Sequence, residues 1–303
     1  MSVAEELKQQ PSLLDSFCKS KSQSEAGVEP ILVGAGDSYA ASLCASFLAG
    51  PGVIALDPYS LATSLDWAKG RPVYIISISG ETASNIELAR ALKRVASRTV
   101  AITSNPGSRL ASEVEEVIGL PFKLRGKSPG IASFTLSLAA ALKVCGINPR
   151  VDFRSVFSRA QEEAKRIRIA KARGVTHFAG NNEAWAASIY GVAKIYEFLG
   201  GRAQTSLLEE FSHMPLFSLS NSDTINVIES PNGLKGELLH ERLTREGYAC
   251  SLIQPKGNRV ERLYLLVFAM QMATLDAARR KGLEAPYFLG AKKKLRISDE
   301  MIY

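Results

Sequence analysis

The sequence predicts an α/β protein built from two similar lobes, each a parallel sheet with helices on both faces. Short apolar runs such as Ile31-Leu32-Val33, Val73 to Ile76 and Val175 to Ala179 alternate with helical segments. That alternation is the mark of parallel strands buried on both faces. A second observation is that the plan runs twice. Gly34 followed by Tyr39-Ala40-Ala41-Ser42 is echoed, at the same offset, by Gly180 followed by Trp185-Ala186-Ala187-Ser188, as an internal duplication would leave. A third is that turns after strands are small and hydroxyl-bearing, most clearly Ser77-Ile78-Ser79-Gly80-Glu81-Thr82.

Taken in order, Glu5 to Cys18 is a leading helix within an N-terminal segment 1–28. Residues 29–150 form the first lobe and 151–303 the second lobe with a C-terminal tail. In the first lobe, strands are expected at Ile31 to Val33, Val53 to Leu56, Val73 to Ile76, Thr99 to Ile102 and Val114 to Leu120. Helices are expected at Tyr39 to Ala49, around Leu61 to Trp67, at Ala83 to Val95 and at Ala132 to Val144. Gly146 to Arg150 reads as the linker into a charged helix, Val151 to Arg173. The second lobe adds strands at Val175 to Ala179, Thr224 to Glu229 and Ala249 to Ile253. Its helices run from Gly180-Asn181-Asn182 to about Leu199, from Gly236 to Gly247 and from Arg259 to Lys281.

Composition narrows the function. The chain has 303 residues, 46% of them hydrophobic, which suffices for one large or two smaller domains. No apolar run reaches membrane-spanning length, and the start shows no secretory pattern. The four cysteines, Cys18, Cys44, Cys145 and Cys250, are widely spaced with no Cys-x-x-Cys pair. Zinc and thioredoxin-type chemistry are therefore not expected, no metal or other cofactor is implied, and a reducing cytoplasm is the simplest setting. The net charge of +7 is scattered along helices, with its densest run at Lys292-Lys293-Lys294. No recognition helix or aromatic-interleaved basic strand accompanies it, so neither a nucleic-acid nor a membrane partner is expected.

The Ser77 to Thr82 turn is the best anion site in the chain. A buried strand ends there and a helix begins, so unpaired N–H groups and the positive end of the helix dipole meet at one place. Ser77, Ser79 and Thr82 add hydroxyls, and Gly80 lets the backbone approach a ligand. The same segment is also readable as a plain N-cap and turn. Gly34-Ala35-Gly36-Asp37-Ser38 ends another strand at the same sheet edge, where doubly wound sheets bind ligands. Its Gly-x-Gly also suggests a dinucleotide site with Asp57 as the ribose acid, but Tyr39 stands where the third glycine is required.

Together these segments resemble the sugar isomerase (SIS) domain family, over nearly the whole chain. Glu6-Leu7-Lys8-Gln9-Gln10-Pro11 resembles its leading helix. Gly34 to Tyr39 resembles its Gly-x-Gly-Thr-Ser-Tyr loop, with Asp37 replacing Thr. Ser77 to Thr82 matches Ser-x-Ser-Gly-Glu-Thr, and Gly130-Ile131-Ala132-Ser133 resembles the loop opening the last helix of the first lobe. In the second lobe Gly191 to Glu197 resembles the helix ending in the isomerase's glutamate. Glu210-Phe211-Ser212-His213-Met214-Pro215 resembles its Glu-x-x-His-x-Pro segment, with Met214 where Gly is usual. Glu284 to Lys292 resembles the tail carrying an active-site lysine, given a one-residue insertion.

The resemblance implies a sugar-phosphate aldose–ketose isomerase. The likeness is greatest to the isomerase domain of glucosamine-6-phosphate synthase and to stand-alone glucosamine-6-phosphate deaminases. Glu197, His213 and Lys292 would be catalytic, with Lys293 and Lys294 as alternatives to Lys292. Gly36, Ser38, Ser77, Ser79, Gly80, Thr82, Ile131, Ser133 and Lys194 would bind substrate, a hexose 6-phosphate. The residue types suit the chemistry. One carboxylate can move a proton between C1 and C2, a histidine can open the ring near neutral pH, and a lysine can hold an oxyanion or condense with the carbonyl. Individually, Glu197 also reads as a surface acid, His213 as a loop histidine and Lys292 as a solvated charge. Lys194 reads either as a partner of Glu197 or as an exposed charge. His177 and His240 read as structural.

The resemblance further implies a homodimer in which His213 is shared across the interface, with Gly201 to Pro215 as a mobile crossing arm. The chain starts Met1-Ser2, without the synthase's cysteine nucleophile, so glutamine-dependent synthesis is not expected. A phosphoglucose/phosphomannose isomerase and a non-catalytic sugar-phosphate sensor are the alternatives.

Overall fold

The computed structural model describes residues 3–20, 29–123, 126–171 and 173–303. Contacts divide the chain into two units, Met1–Arg150 with Lys293–Tyr303, and Val151–Lys292. Both have the α/β architecture that the alternation of strands and helices predicts.

The first unit opens with helix α1 (Val3–Lys19), which packs on α5 (Ala132–Val144) and buries Leu7 and Leu14. Pro11 lies inside α1 without breaking it. Proline has no N–H to give to the carbonyl four residues back, and the Gln10 side-chain amide donates to that Leu7 carbonyl instead, at 3.2 Å. Gln10 also accepts from the Thr135 hydroxyl, and the Glu6 carboxylate accepts the Ala132 N–H at 2.8 Å, capping α5. The leading helix is thus part of the first unit.

Between these helices run β1 (Ile31–Gly34), α2 (Asp37–Ala49), β2 (Ile54–Leu56), α3 (Pro58–Ala62), β3 (Pro72–Ile76), α4 (Ala83–Leu92), β4 (Arg98–Thr103) and β5 (Glu116–Gly119). The strands pair in parallel in the order β2-β1-β3-β4-β5. Ile31, Val33, Val73, Ile75 and Ala101 meet Ile86, Ala89 and Leu92 of α4 in one core. The helical stretch expected around Leu61 to Trp67 is two pieces, α3 and a 3₁₀ turn at Leu65–Ala68. Asp57, weighed as a ribose ligand, caps α3 by accepting the Tyr59 and Ser60 N–H groups. Burial pushes its carboxyl pKa up, but these hydrogen bonds together outweigh that and lower it.

The second unit contains α6 (Phe153–Arg166), β6 (Val175–Ala179), α7 (Asn182–Leu199), β7 (Arg202–Ser206), α8 (Leu208–His213), β8 (Thr224–Ile228), α9 (Leu234–Arg245), β9 (Ala249–Ile253), α10 (Arg259–Arg280) and α11 (Tyr287–Gly290). Its parallel order is β7-β6-β8-β9. α6 stops seven residues before the expected Arg173. Beyond it Arg168 N–H donates to the Asn226 side chain and Ala170 N–H to Thr176, which ties the chain to the sheet. Most of the segment Gly201 to Pro215, expected as a crossing arm, is regular structure. Arg202–Ser206 is an edge strand paired with all of β6, and Leu208–His213 is a helix seated by buried Leu208 and Phe211.

Helix α12 (Lys292–Ile302) closes the chain. From Lys293 it groups with the first unit, where Lys127 pairs with Asp299. The second unit therefore ends at Lys292, whereas the sequence expectation carried it to 303.

The repeat is visible in backbone detail. Gly36 and Asn182 occupy equivalent places before α2 and in the first turn of α7, with φ of 57° and 51°. Ser42 Oγ donates to the carbonyl four residues back, Ser38, and Ser188 Oγ likewise to Ala184.

Candidate active site

In the first unit the turn from β3 into α4 is a rigid frame around an open helix start. Ser77 N–H donates to Ile102 O, extending the strand pairing by one residue. Ser77 Oγ accepts the Gly80 N–H and Ser79 Oγ accepts the Glu81 N–H, both at 3.2 Å. These two oxygens shape the turn itself, and Ser77 is buried. The Ile78 carbonyl accepts from the Thr103 and Ser104 hydroxyls. Gly80 has φ of 68°, and a Cβ there would stand 2.0 Å from Ser108 Oγ, so only glycine fits.

Arg109 locks the middle of the turn. Its N–H and Nε both donate to the Glu81 carboxylate, at 3.1 and 2.5 Å, and Nη2 donates to the Glu81 carbonyl at 3.2 Å. The Arg109 hydrogen bonds hold the Glu81 pKa below its ordinary value. Thr82 is the N-cap of α4, with no hydrogen bond from its side chain to the first turn. The helix start is therefore aligned, half-buried at Thr82 to Ser84 and not capped by its own N-cap hydroxyl, which is what an anion site at a helix N-terminus requires.

The neighbouring loop is different. Gly36 is exposed and Ser38 half-buried. The Asp37 carboxylate is packed against Gly130, with Oδ2 2.2 Å from where a Gly130 Cβ would stand. Asp37 thus joins this loop to the start of α5. The Ile131 side chain is wholly buried and Ser133 nearly so.

In the second unit α7 carries the sharpest charge arrangement. Lys194 is fully buried, and its Nζ lies 2.6 Å from Glu197 Oε2 and 4.8 Å from the Tyr190 ring centroid. Tyr190 OH is held in turn by Gln271. A buried ammonium requires a close counter-charge, so Lys194 fixes the Glu197 carboxylate, whose side chain remains 29% exposed. Of the two readings of Lys194, partner or exposed charge, the structure selects the partner.

His213 ends α8 and is mostly exposed. Its Nε2 lies 3.3 Å from Glu209, which also pairs with Lys235. Lys292 is exposed at the first position of α12. The structure thus brings Lys194 and Glu197 together, gives His213 another partner, and leaves Lys292 at the surface. His177 is buried in β6, with Nδ1 2.9 Å from Gln204 Nε2 and Nε2 3.6 Å from Asp223. Neither Arg109, which locks the Glu81 turn, nor Glu229, which holds the Gly236 N–H, stands out in the sequence. Nothing in local periodicity marks a loop arginine or an acid at a strand end. No group of three or more His, Cys, Asp or Glu side chains among the described residues is arranged to hold a metal ion, and no described helix is long and apolar enough to cross a membrane.

No family model and no curated protein sequence matches the chain. Solved structures do. The chain is similar to glucosamine-6-phosphate deaminase from Thermotoga maritima, at 18% identity over 92% of this chain and 95% of that one, with a TM-score of 0.73. It is similar to tagatose-6-phosphate ketose/aldose isomerase from Escherichia coli, at 19% identity over 92% and 93%, with a TM-score of 0.72. It is also similar to the C-terminal domain of glucosamine-fructose-6-phosphate aminotransferase from Francisella tularensis, at 15% identity over 93% and 97%, with a TM-score of 0.71. The fold is that of the SIS proteins.

Proposed function

We propose that this chain is a sugar-phosphate aldose–ketose isomerase that converts glucosamine 6-phosphate and water to fructose 6-phosphate and ammonia. The observation that carries the reading is the Glu197 carboxylate, part-exposed and held at 2.6 Å by a fully buried lysine. Such a fixed carboxylate suits a base that must take one proton and return it to the next carbon. Support comes from the open start of α4 for the 6-phosphate and from likeness to structures of sugar-phosphate enzymes.

In this reading the backbone and hydroxyls of the Ser77 to Thr82 turn anchor the phosphate. His213 moves the ring-oxygen and O1 protons to open the sugar. Glu197 removes the C2 proton and delivers it to C1, and Lys292 stabilises the oxygen on which charge develops. The resulting C2 imine adds water and expels ammonia. His213 would act in the site of a second copy of the chain, in keeping with its exposure beside exposed Met214 and Phe217.

The test is ammonia and fructose 6-phosphate formation from glucosamine 6-phosphate, with glucose 6-phosphate and mannose 6-phosphate alongside. Ammonia release supports the deaminase. Ketose formed only from the neutral sugars replaces it with a plain isomerase, and binding without turnover replaces it with a sensor. In an active enzyme Glu197→Gln should lose about 10²- to 10⁴-fold in kcat and keep sugar-phosphate binding.

A further inference from the structure

The second unit contains a cavity of about 280 Å³ that the proposed reaction does not use. It lies at the carboxyl ends of β6, β8 and β9 beside the starts of α7 and α10, where doubly wound sheets take ligands. Its floor is apolar, formed by Ile228, Leu263 and Leu266, and its rim is polar, with Asn182, Glu229 and Arg262.

The rim chemistry restricts the ligand. Glu229 accepts the Gly236 N–H of α9 and the Ser230 N–H, both at 2.8 Å. The place where a phosphate would sit on this helix start is already filled by a carboxylate, which repels a second anion. Glu183, also on the wall, is neutralised by a two-pronged pair with Arg259 at 2.8 and 3.1 Å. Arg262 lines the cavity, donates to the Gly257 carbonyl through Nη1 and forms no ion pair among the described residues. Asn182 holds a left-handed φ of 51°, a strain that persists where the surroundings dictate it.

The geometry points to a second ligand site here, for an uncharged hydroxyl-bearing ring of monosaccharide size without a phosphate. The floor takes the C–H face of such a ring. A rim of amide, carboxylate and guanidinium pairs with hydroxyls, which both donate and accept, and the volume suits a small ligand.

The experiment is saturation-transfer NMR on the full chain with D-glucose, N-acetylglucosamine and D-ribose, repeated with inorganic phosphate present. The expected result is transfer to at least one sugar that phosphate does not suppress. It should persist in Ser79→Ala, weaken about 5- to 10-fold in Arg262→Ala, and disappear in Ser230→Trp, which blocks the exposed rim with little effect on folding. Absence of transfer to all three sugars overturns the proposal. So does transfer that survives Ser230→Trp, or that Ser79→Ala abolishes, since the sugar would then sit elsewhere. None of these readouts depends on turnover, so the site stands or falls separately from the deaminase reading.

Discussion

The turn after β3 and the turn after β8 are the same backbone device put to opposite ends. In both, the first residue past the strand donates its N–H across the sheet, Ser77 to Ile102 and Glu229 to Ile253, each at 3.0 Å. In both, a glycine-bearing turn then opens a helix. The first unit places a serine at that residue, whose short hydroxyl folds back onto Gly80 and leaves the start of α4 open. The second places a glutamate, whose longer side chain reaches the third residue of α9. Gly233 and Gly236 make room for it, since a Cβ at either would fall within 3 Å of Glu229 atoms. One side chain therefore decides whether a helix start can receive a ligand or is closed by the protein's own anion.

The comparison can be broken most severely at Gly80. Gly80→Ala forces a Cβ into Ser108 at a positive φ and should cost about 2–4 kcal/mol of stability in the first unit. Sugar-phosphate affinity should fall with it. Gly233→Ala should destabilise the second unit in urea unfolding yet leave the Michaelis constant unchanged. Equal losses of affinity in the two variants would mean that both turns serve the substrate.

Glu229→Ser makes the second turn resemble the first. Removing the internal anion should cost about 1–2 kcal/mol and create a phosphate site that the parent lacks. The readout is thermal stabilisation by inorganic phosphate in a Ser79→Ala, Thr82→Ala background. No gain in phosphate response would show that the turn needs more than an open helix start.

Ser79→Ala and Thr82→Ala should each raise KM with kcat nearly unchanged, since one hydrogen bond to a charged group is worth roughly 1–3 kcal/mol. Thr82 should have the larger effect, because Ser79 Oγ already serves Glu81 N–H. Unchanged kinetics in both would remove this turn from the substrate site.

The smallest effect separates the units by pH. His177 sits in β6 where the equivalent residue of β1 is buried Ile31. Burial lowers the His177 pKa, partly opposed by Asp223. A group whose folded pKa is depressed contributes stability above its unfolded pKa and loses it as pH falls. The second unit should therefore weaken on going from pH 7 to pH 5, and His177→Gln should flatten that slope. Burial raises the Asp223 pKa, but the Ser220 and Val175 N–H groups, the Ser220 side chain and His177 together lower it, and its contribution disappears only at still lower pH. An unaltered slope in His177→Gln would assign the acid sensitivity elsewhere.

Much of the fold was legible because buried parallel strands are continuous apolar runs. β6, β9 and α5 fall at the residues that periodicity marks. β7 was not legible. Arg202-Ala203-Gln204-Thr205-Ser206 is an edge strand with one buried residue, so it lacks a hydrophobic signal, and two preceding glycines made it resemble a linker. The Ser77 to Thr82 turn was readable as a frame for an anion, but the duties of its hydroxyls were not. Two of the three oxygens accept N–H groups of the turn itself.

The sequence by itself determined the alternation, the doubling and the helix start fit for an anion, because these follow from local period and from the kinds of residue at a strand end. Only the tertiary structure decided which charges are tied down. Lys194 and Glu197 are a helical i, i+3 pair like many others until burial removes water from the lysine and makes the carboxylate its necessary partner. Glu81 with Arg109 and Glu229 with Gly236 are separated in sequence by 28 and 7 residues. The strength of such contacts depends on distance in space and exclusion of solvent, which the order of residues does not encode.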